Sequence, residues 1–228
     1  MSIDDNDNLY ILEENEEEKD QTPLNYAAYS DDQLEESEEM EEEKEGKERS
    51  AFGMLFRIML TPVEGWKILR RNKMTVENFQ SGCFYPLLAL LALSKFAEFF
   101  YSVNVSLTQV VTQAVVAFVA FFFGYFCTNM LLGILLPKDM AAKFECEFGK
   151  KYLLVALSTL ALFSIITNLI PMLWPILIFL PMWTLYLMFK GTRFFHFEQK
   201  QEMRFFVTSG AMAVGVPLFI EWILNQLL

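Results

Sequence analysis

Charge is absent from Tyr152 to Phe189, a run of roughly forty residues without one Asp, Glu, Lys or Arg. As a straight helix this run would be about 57 Å long, against a bilayer hydrocarbon core of about 30 Å. One crossing cannot use it and two can, with Pro171 and Pro175 near the middle where a tight turn belongs. Catalytic side chains are also scarce. The only histidine, His196, lies in Phe194-Phe195-His196-Phe197 and reads as solvated or interfacial rather than as a ligand. Three cysteines, Cys83, Cys127 and Cys146, are expected to be reduced thiols in the cytoplasmic half. Cys146 stands between Glu145 and Glu147, with no second Cys or His nearby in sequence to build a metal site. No P-loop, GxSxG, HExxH or CxxC motif is present. No nucleophile–base or metal constellation can be assembled from these residues, so neither enzyme activity nor a cofactor is expected. The N-terminus, Met-Ser-Ile-Asp-Asp-Asn-Asp, has neither a basic start nor an apolar run, and no signal peptide is expected.

What is abundant is apolar and aromatic: 54% hydrophobic and 15% aromatic residues, with 23 Phe, is rich for a soluble domain. The net charge of −11 is unevenly spread. Residues 1–50 hold most of the acids, and the remainder is mildly basic. Glu13 to Glu18 and Glu35 to Glu48 have almost nothing to bury, so residues 1–50 read as a disordered acidic cytoplasmic tail. Two apolar islands, Leu9 to Leu12 and Leu24 to Tyr29, are either a linear motif for a protein partner or ordinary spacing in a solvated tail. Asp4, Asn6 and Asn8 fall at calcium-loop spacing, but Leu9 and Asn15 stand where the loop needs Gly and Glu, which rejects that site.

Residues 51–81 form a basic amphipathic juxtamembrane collar. Arg57, Lys67, Arg70, Arg71 and Lys73 are interleaved with Phe52, Leu55, Phe56, Met59, Leu60, Trp66, Ile68 and Leu69. Thr61-Pro62-Val63-Glu64 reads as a helix start with Thr as N-cap, Pro at N1 and Glu at N3, for a helix running to about Lys73. Such a helix either docks its cations on anionic lipid or packs beneath the bundle through Trp66.

Five spans follow in residues 82–228, at about 82–101, 106–136, 152–170, 174–189 and 206–228. The expected fold is an all-α polytopic transmembrane bundle. Small-residue strips, Ala120, Gly124 and Thr128 in the second span and Ala211 and Gly215 in the fifth, allow close helix approach within one chain or between chains. Cations sit before span one, between spans two and three, and between spans four and five, while the other two connections have none. That alternation predicts a cytoplasmic N-terminus and a C-terminus across a cell membrane, plasma or inner. Asn104-Val105-Ser106 is a glycosylation sequon in a loop too short to clear the membrane.

With that topology, Lys95, Glu98, Gln109, Gln113, Asn168, Glu221 and Asn225 come from four spans and all fall in the half away from the cytoplasm. They suggest an outward polar cluster in which Lys95 pairs Glu98 or Glu221. The cluster is either a small-solute or proton pathway or polar glue between helices.

Thr61-Pro62-Val63-Glu64-Gly65-Trp66 precedes the first span and Phe84-Tyr85-Pro86 opens it. Gly124-Tyr125 lies in the second, Lys143 to Gly149 precedes the third, and Tyr186-Leu187-Met188-Phe189-Lys190-Gly191 leaves the fourth. In this order and spacing, residues 55–228 resemble the Yip family of Ypt/Rab-interacting five-span membrane proteins, especially its prokaryotic branch. The Asp-Leu-Tyr-Gly-Pro type motif of eukaryotic members is absent. The resemblance implies a fold and a membrane location rather than a reaction. The expected function is a non-enzymatic membrane scaffold or adaptor, contacting lipids through the collar and a protein partner through the tail. An oligomer is compatible with the strips, and no nucleic-acid partner is expected. The rival reading is a small-solute or ion transporter built on the outward cluster.

Overall fold

The computed structural model describes residues 50–102, 105–173 and 179–227. The acidic tail with its two apolar islands, Asn104 of the sequon, and Trp174 and Pro175 lie outside the described residues. Among the described residues the architecture is all-helical, and four helices are long and apolar enough to cross a membrane.

The collar is two short helices, α1 (Ala51–Leu60) and α2 (Pro62–Arg71). Ser50 caps α1, its hydroxyl accepting from the Gly53 amide at 3.2 Å. The boundary expected at Thr61 is there, with Pro62 in the first turn, but the capping box is not. The Thr61 hydroxyl donates backwards to the Arg57 carbonyl at 3.1 Å, closing α1 instead of opening α2. The two helices then fold tightly on each other at Gly65. A Cβ there would stand 2.6 Å from the Ile58 Cα, so only glycine fits.

The first long helix, α3 (Val76–Phe100), starts earlier than the expected 82. It widens to a π-helical turn over Gln80–Phe84, is α-helical over Tyr85–Ser94, and tightens to 3-10 geometry over Lys95–Phe100. The second, α4 (Leu107–Leu135), matches its expected bounds within a residue, with Ser106 as its N-cap at 3.2 Å from the Gln109 amide. A short helix, α5 (Lys138–Glu145), leads into α6 (Glu147–Leu169). Here the expected span from 152 gains more than a turn of polar sequence at its start. Helix α6 is the axis of the bundle. Every residue from Lys151 to Ala161 is buried, and it packs against α3, α4, α5, α7 and α8. A helix apolar on all sides belongs in that position.

Helix α7 (Leu180–Thr192) departs most from expectation. It was expected over 174–189, but begins near Pro181, which favours a first-turn position, and continues past Gly191. Its 13 residues are about 20 Å long, short of a full crossing by themselves. The last helix, α8 (Gln199–Leu227), starts two turns before the expected 206 and carries the buried Pro217 inside it. Side chains such as Leu93, Val115, Phe123, Met130, Val207 and Trp222 are exposed, giving the long helices an apolar outer face that suits lipid.

Candidate functional site

Two assemblies sit at opposite ends of the same helices. At the collar end the aromatic side chains converge. Trp66 is fully buried, and its indole N–H donates to the Leu187 carbonyl of α7 at 2.9 Å. Its ring lies 5.5 Å from Tyr152 and edge-on to Phe148 at 6.0 Å. Beneath it is Gly191, where a Cβ would meet the Trp66 ring at 2.8 Å and Tyr152 at 2.9 Å. The Tyr152 hydroxyl lies 3.3 Å from both the Met188 carbonyl and Ser209 Oγ, tying α6 to α7 and α8. Phe195 completes the knot, 4.9 Å from Phe148 and 4.8 Å from Phe205. The chain reverses just beyond it at His196, in the left-handed region with φ 54°. That turn is held from α5 by Lys143, whose ammonium donates to the His196 carbonyl at 3.0 Å and lies 4.8 Å from the Phe197 ring centre.

Most of the sequence segments that carry the family resemblance meet in this half. Trp66 touches Leu187 and Gly191, and Phe148 lies between Lys143 and Gly149 in sequence and against Trp66 in space. Phe84 is 5.8 Å from Tyr125. From sequence, Trp66 is open between lipid docking and packing, Tyr152 and Gly191 appear only as ends of sequence segments rather than as its neighbours, and Phe205 is not singled out. Their signal was the concentration of aromatics and glycine beside the cation-bearing span ends.

The collar cations have distinct surroundings. Arg57 pairs Glu64 across the α1–α2 turn at 3.8 Å. Arg70 Nη1 is 3.1 Å from His196 Nδ1. Lys67, Arg71 and Lys73 are exposed. Phe56, Leu60 and Val63 are exposed on the same two helices, so the collar's outer surface is both basic and apolar.

At the far end, part of the expected polar cluster assembles. A cavity of about 490 Å³ is lined by Lys95 of α3, Asn168 of α6 and Glu221 of α8, together with Ser164 and Thr167. Glu98, Gln109, Gln113 and Asn225 do not line it; Gln109 and Asn225 are exposed instead. The expected ion pair of Lys95 with Glu98 or Glu221 is not formed. Its ammonium lies 3.4 Å from Asn168 Oδ1, and the Asn168 amide donates to Ser94 Oγ at 2.8 Å. The 3-10 geometry from Lys95 onward lines up i,i+3 side chains, yet the Lys95 ammonium reaches across to α6 rather than along its own helix to Glu98. Nearby, the Tyr101 hydroxyl donates to the Leu169 carbonyl. Ser94, Ser164 and Thr167 were absent from the sequence reading because a hydroxyl in an apolar helix gives no sign of which way it faces.

The two small-residue strips separate. Ala120, Gly124 and Thr128 are buried against α8: a Cβ on Gly124 would stand 2.9 Å from Pro217, and the Thr128 hydroxyl donates to the Met212 carbonyl at 3.4 Å. Ala211 and Gly215 are exposed, with nothing within 4 Å of a Cβ on Gly215. Among the described residues no group of His, Cys, Asp and Glu side chains is arranged to hold a metal ion. Compared with protein-family models, curated proteins and solved structures, the chain matches none of them.

Proposed function

We infer that this chain is a five-span, Yip-like integral membrane protein that works without catalysis, as a scaffold or adaptor at a cell membrane. The observation that carries this reading is the fastening of the collar to the bundle through Trp66, by a buried hydrogen bond to Leu187 and a ring seated on Gly191. A collar held in one orientation presents its basic and apolar surface at a fixed angle, as an adaptor requires. The fifth passage in this reading is the stretch between Asn168, beside the cavity, and Gly191, beside the collar knot. In its favour, these two residues are tied to opposite ends of the bundle. The same odd number of passages gives a cytoplasmic N-terminus and a C-terminus on the other side, in keeping with the cation alternation.

Affinity capture from mild detergent tests the adaptor role. Protein lacking residues 1–50 is expected to lose bound partners that the full chain retains, and an unchanged partner set would overturn the role. Tags at the two termini of the chain in intact cells are expected to lie in different compartments. The rival reading, transport of a small solute or ion, has the far-end cavity in its favour. It expects solute flux in vesicles that survives removal of residues 1–50.

A further inference from the structure

The far-end cavity holds two opposite charges that leave each other alone. Lys95 and Glu221 both line it, yet among the described residues they form no ion pair, and Glu221 has no hydrogen-bond partner. Lys95 has three N–H donors and meets only the Asn168 carbonyl oxygen, at a long 3.4 Å. A lone charge between apolar helices is costly unless something of the opposite sign reaches it. Apart from Asn168 and the hydroxyls of Ser164 and Thr167, the rest of the wall is apolar, with Leu91, Phe121, Phe163 and Leu218 coming from four different helices. The volume of about 490 Å³ falls within the range of sites that take small organic ligands.

We propose that this cavity binds a zwitterionic amphiphile: a phospholipid whose headgroup carries a phosphate and a primary ammonium. The phosphate lies against the Lys95 ammonium and the Ser164 hydroxyl, the ligand's ammonium lies against the Glu221 carboxylate, and one acyl chain follows the apolar wall. Charge complementarity makes the choice. An anionic lipid would satisfy Lys95 and be repelled by Glu221, and a cationic amphiphile would do the reverse. A zwitterion without a chain would leave Leu91, Phe121, Phe163 and Leu218 uncovered. The site goes beyond the adaptor reading and beyond transport, because it needs neither a protein partner nor flux.

The test uses the full chain in a maltoside detergent, with short-chain phosphatidylethanolamine, phosphatidylglycerol of the same chain length, and chainless glycerophosphoethanolamine as probes. Melting temperature and native mass spectrometry are the readouts. Phosphatidylethanolamine at a hundred times its Kd is expected to raise Tm by about 5–10 °C, with one molecule retained. It should bind about tenfold more tightly than phosphatidylglycerol. Glu221→Gln should abolish that preference by letting phosphatidylglycerol bind as well, a change of specificity that a general loss of stability would not produce. Ser164→Phe, which fills the cavity from a half-buried position, should remove both responses and serves where Glu221→Gln fails to fold. Equal shifts from the two lipids in the unmodified protein would overturn the proposal. So would a full shift from the chainless probe, or a phosphatidylethanolamine response that survives Ser164→Phe.

Discussion

At one end of the bundle Trp66 is buried with its single polar atom satisfied and a glycine fitted beneath its ring; at the other, Lys95 and Glu221 face open space. The same helices build both ends, so the difference lies in which side chains meet and in what solvent. Near the collar, rings leave water when they pack, and each aromatic contact adds about 0.5–1.5 kcal/mol to the area buried. Between the spans, lipid tails are as apolar as the side chains they would replace, so association depends on close approach and on polar contacts. Gly124 against Pro217 is that kind of contact, and Asn168 with Ser94 is the other. The bundle is thus fastened at the collar and left with room at the far end.

That contrast can be broken most directly at Trp66. Trp66→Ala empties a fully buried site and is expected to cost about 3–5 kcal/mol, read as the largest fall in detergent Tm among single substitutions. A fall no greater than that of an exposed substitution would remove the collar knot as the main fastening. Next is Gly124→Ala, whose new methyl group must displace Pro217, at an expected cost of about 1–3 kcal/mol. Asn168→Ala, which cuts the link between α6 and α3, should cost about 0.6–2 kcal/mol by the same measurement. Lys95→Met should lower Tm less than Asn168→Ala, yet more than Lys200→Met, because Lys95 meets Asn168 whereas Lys200 is exposed. Equal melting of the two lysine variants would mean that Lys95 has no structural part at the far end. Gly215→Ala should give the smallest effect and the opposite sign, a gain of up to about 1 kcal/mol, because its Cβ meets nothing and alanine favours helix. A loss there would mean that the exposed Ala211–Gly215 face is covered in the detergent-solubilised protein.

The charge-free run from Tyr152, expected as two crossings, holds among the described residues one helix long enough to cross, α6, and the shorter α7. The Pro62 helix start and the limits of α4 could be read from residue order, because helix rise and bilayer thickness set a span's length. So could the gathering of Lys95, Asn168 and Glu221 at one depth, since depth is a count of residues along each helix. The partners within that gathering were not legible. Lys95 met Asn168 rather than Glu98 or Glu221, and Gln109 and Asn225 faced outward. The same limit hid the difference between the strip at Gly124, which is packed, and the one at Gly215, which is not.

By itself the sequence determined that residues beyond the acidic tail are helical where described, that several helices are long and apolar enough for a bilayer, and that most cations of residues 51–228 gather in 57–73, 138–151 and 190–204. Only the tertiary structure decided which way each helix is turned about its own axis, and therefore that Trp66 seals one end while a charged cavity remains at the other. The reason is physical: a helix apolar toward both lipid and protein carries no periodic signal of its inner face, so rotation is set by the neighbours it packs against.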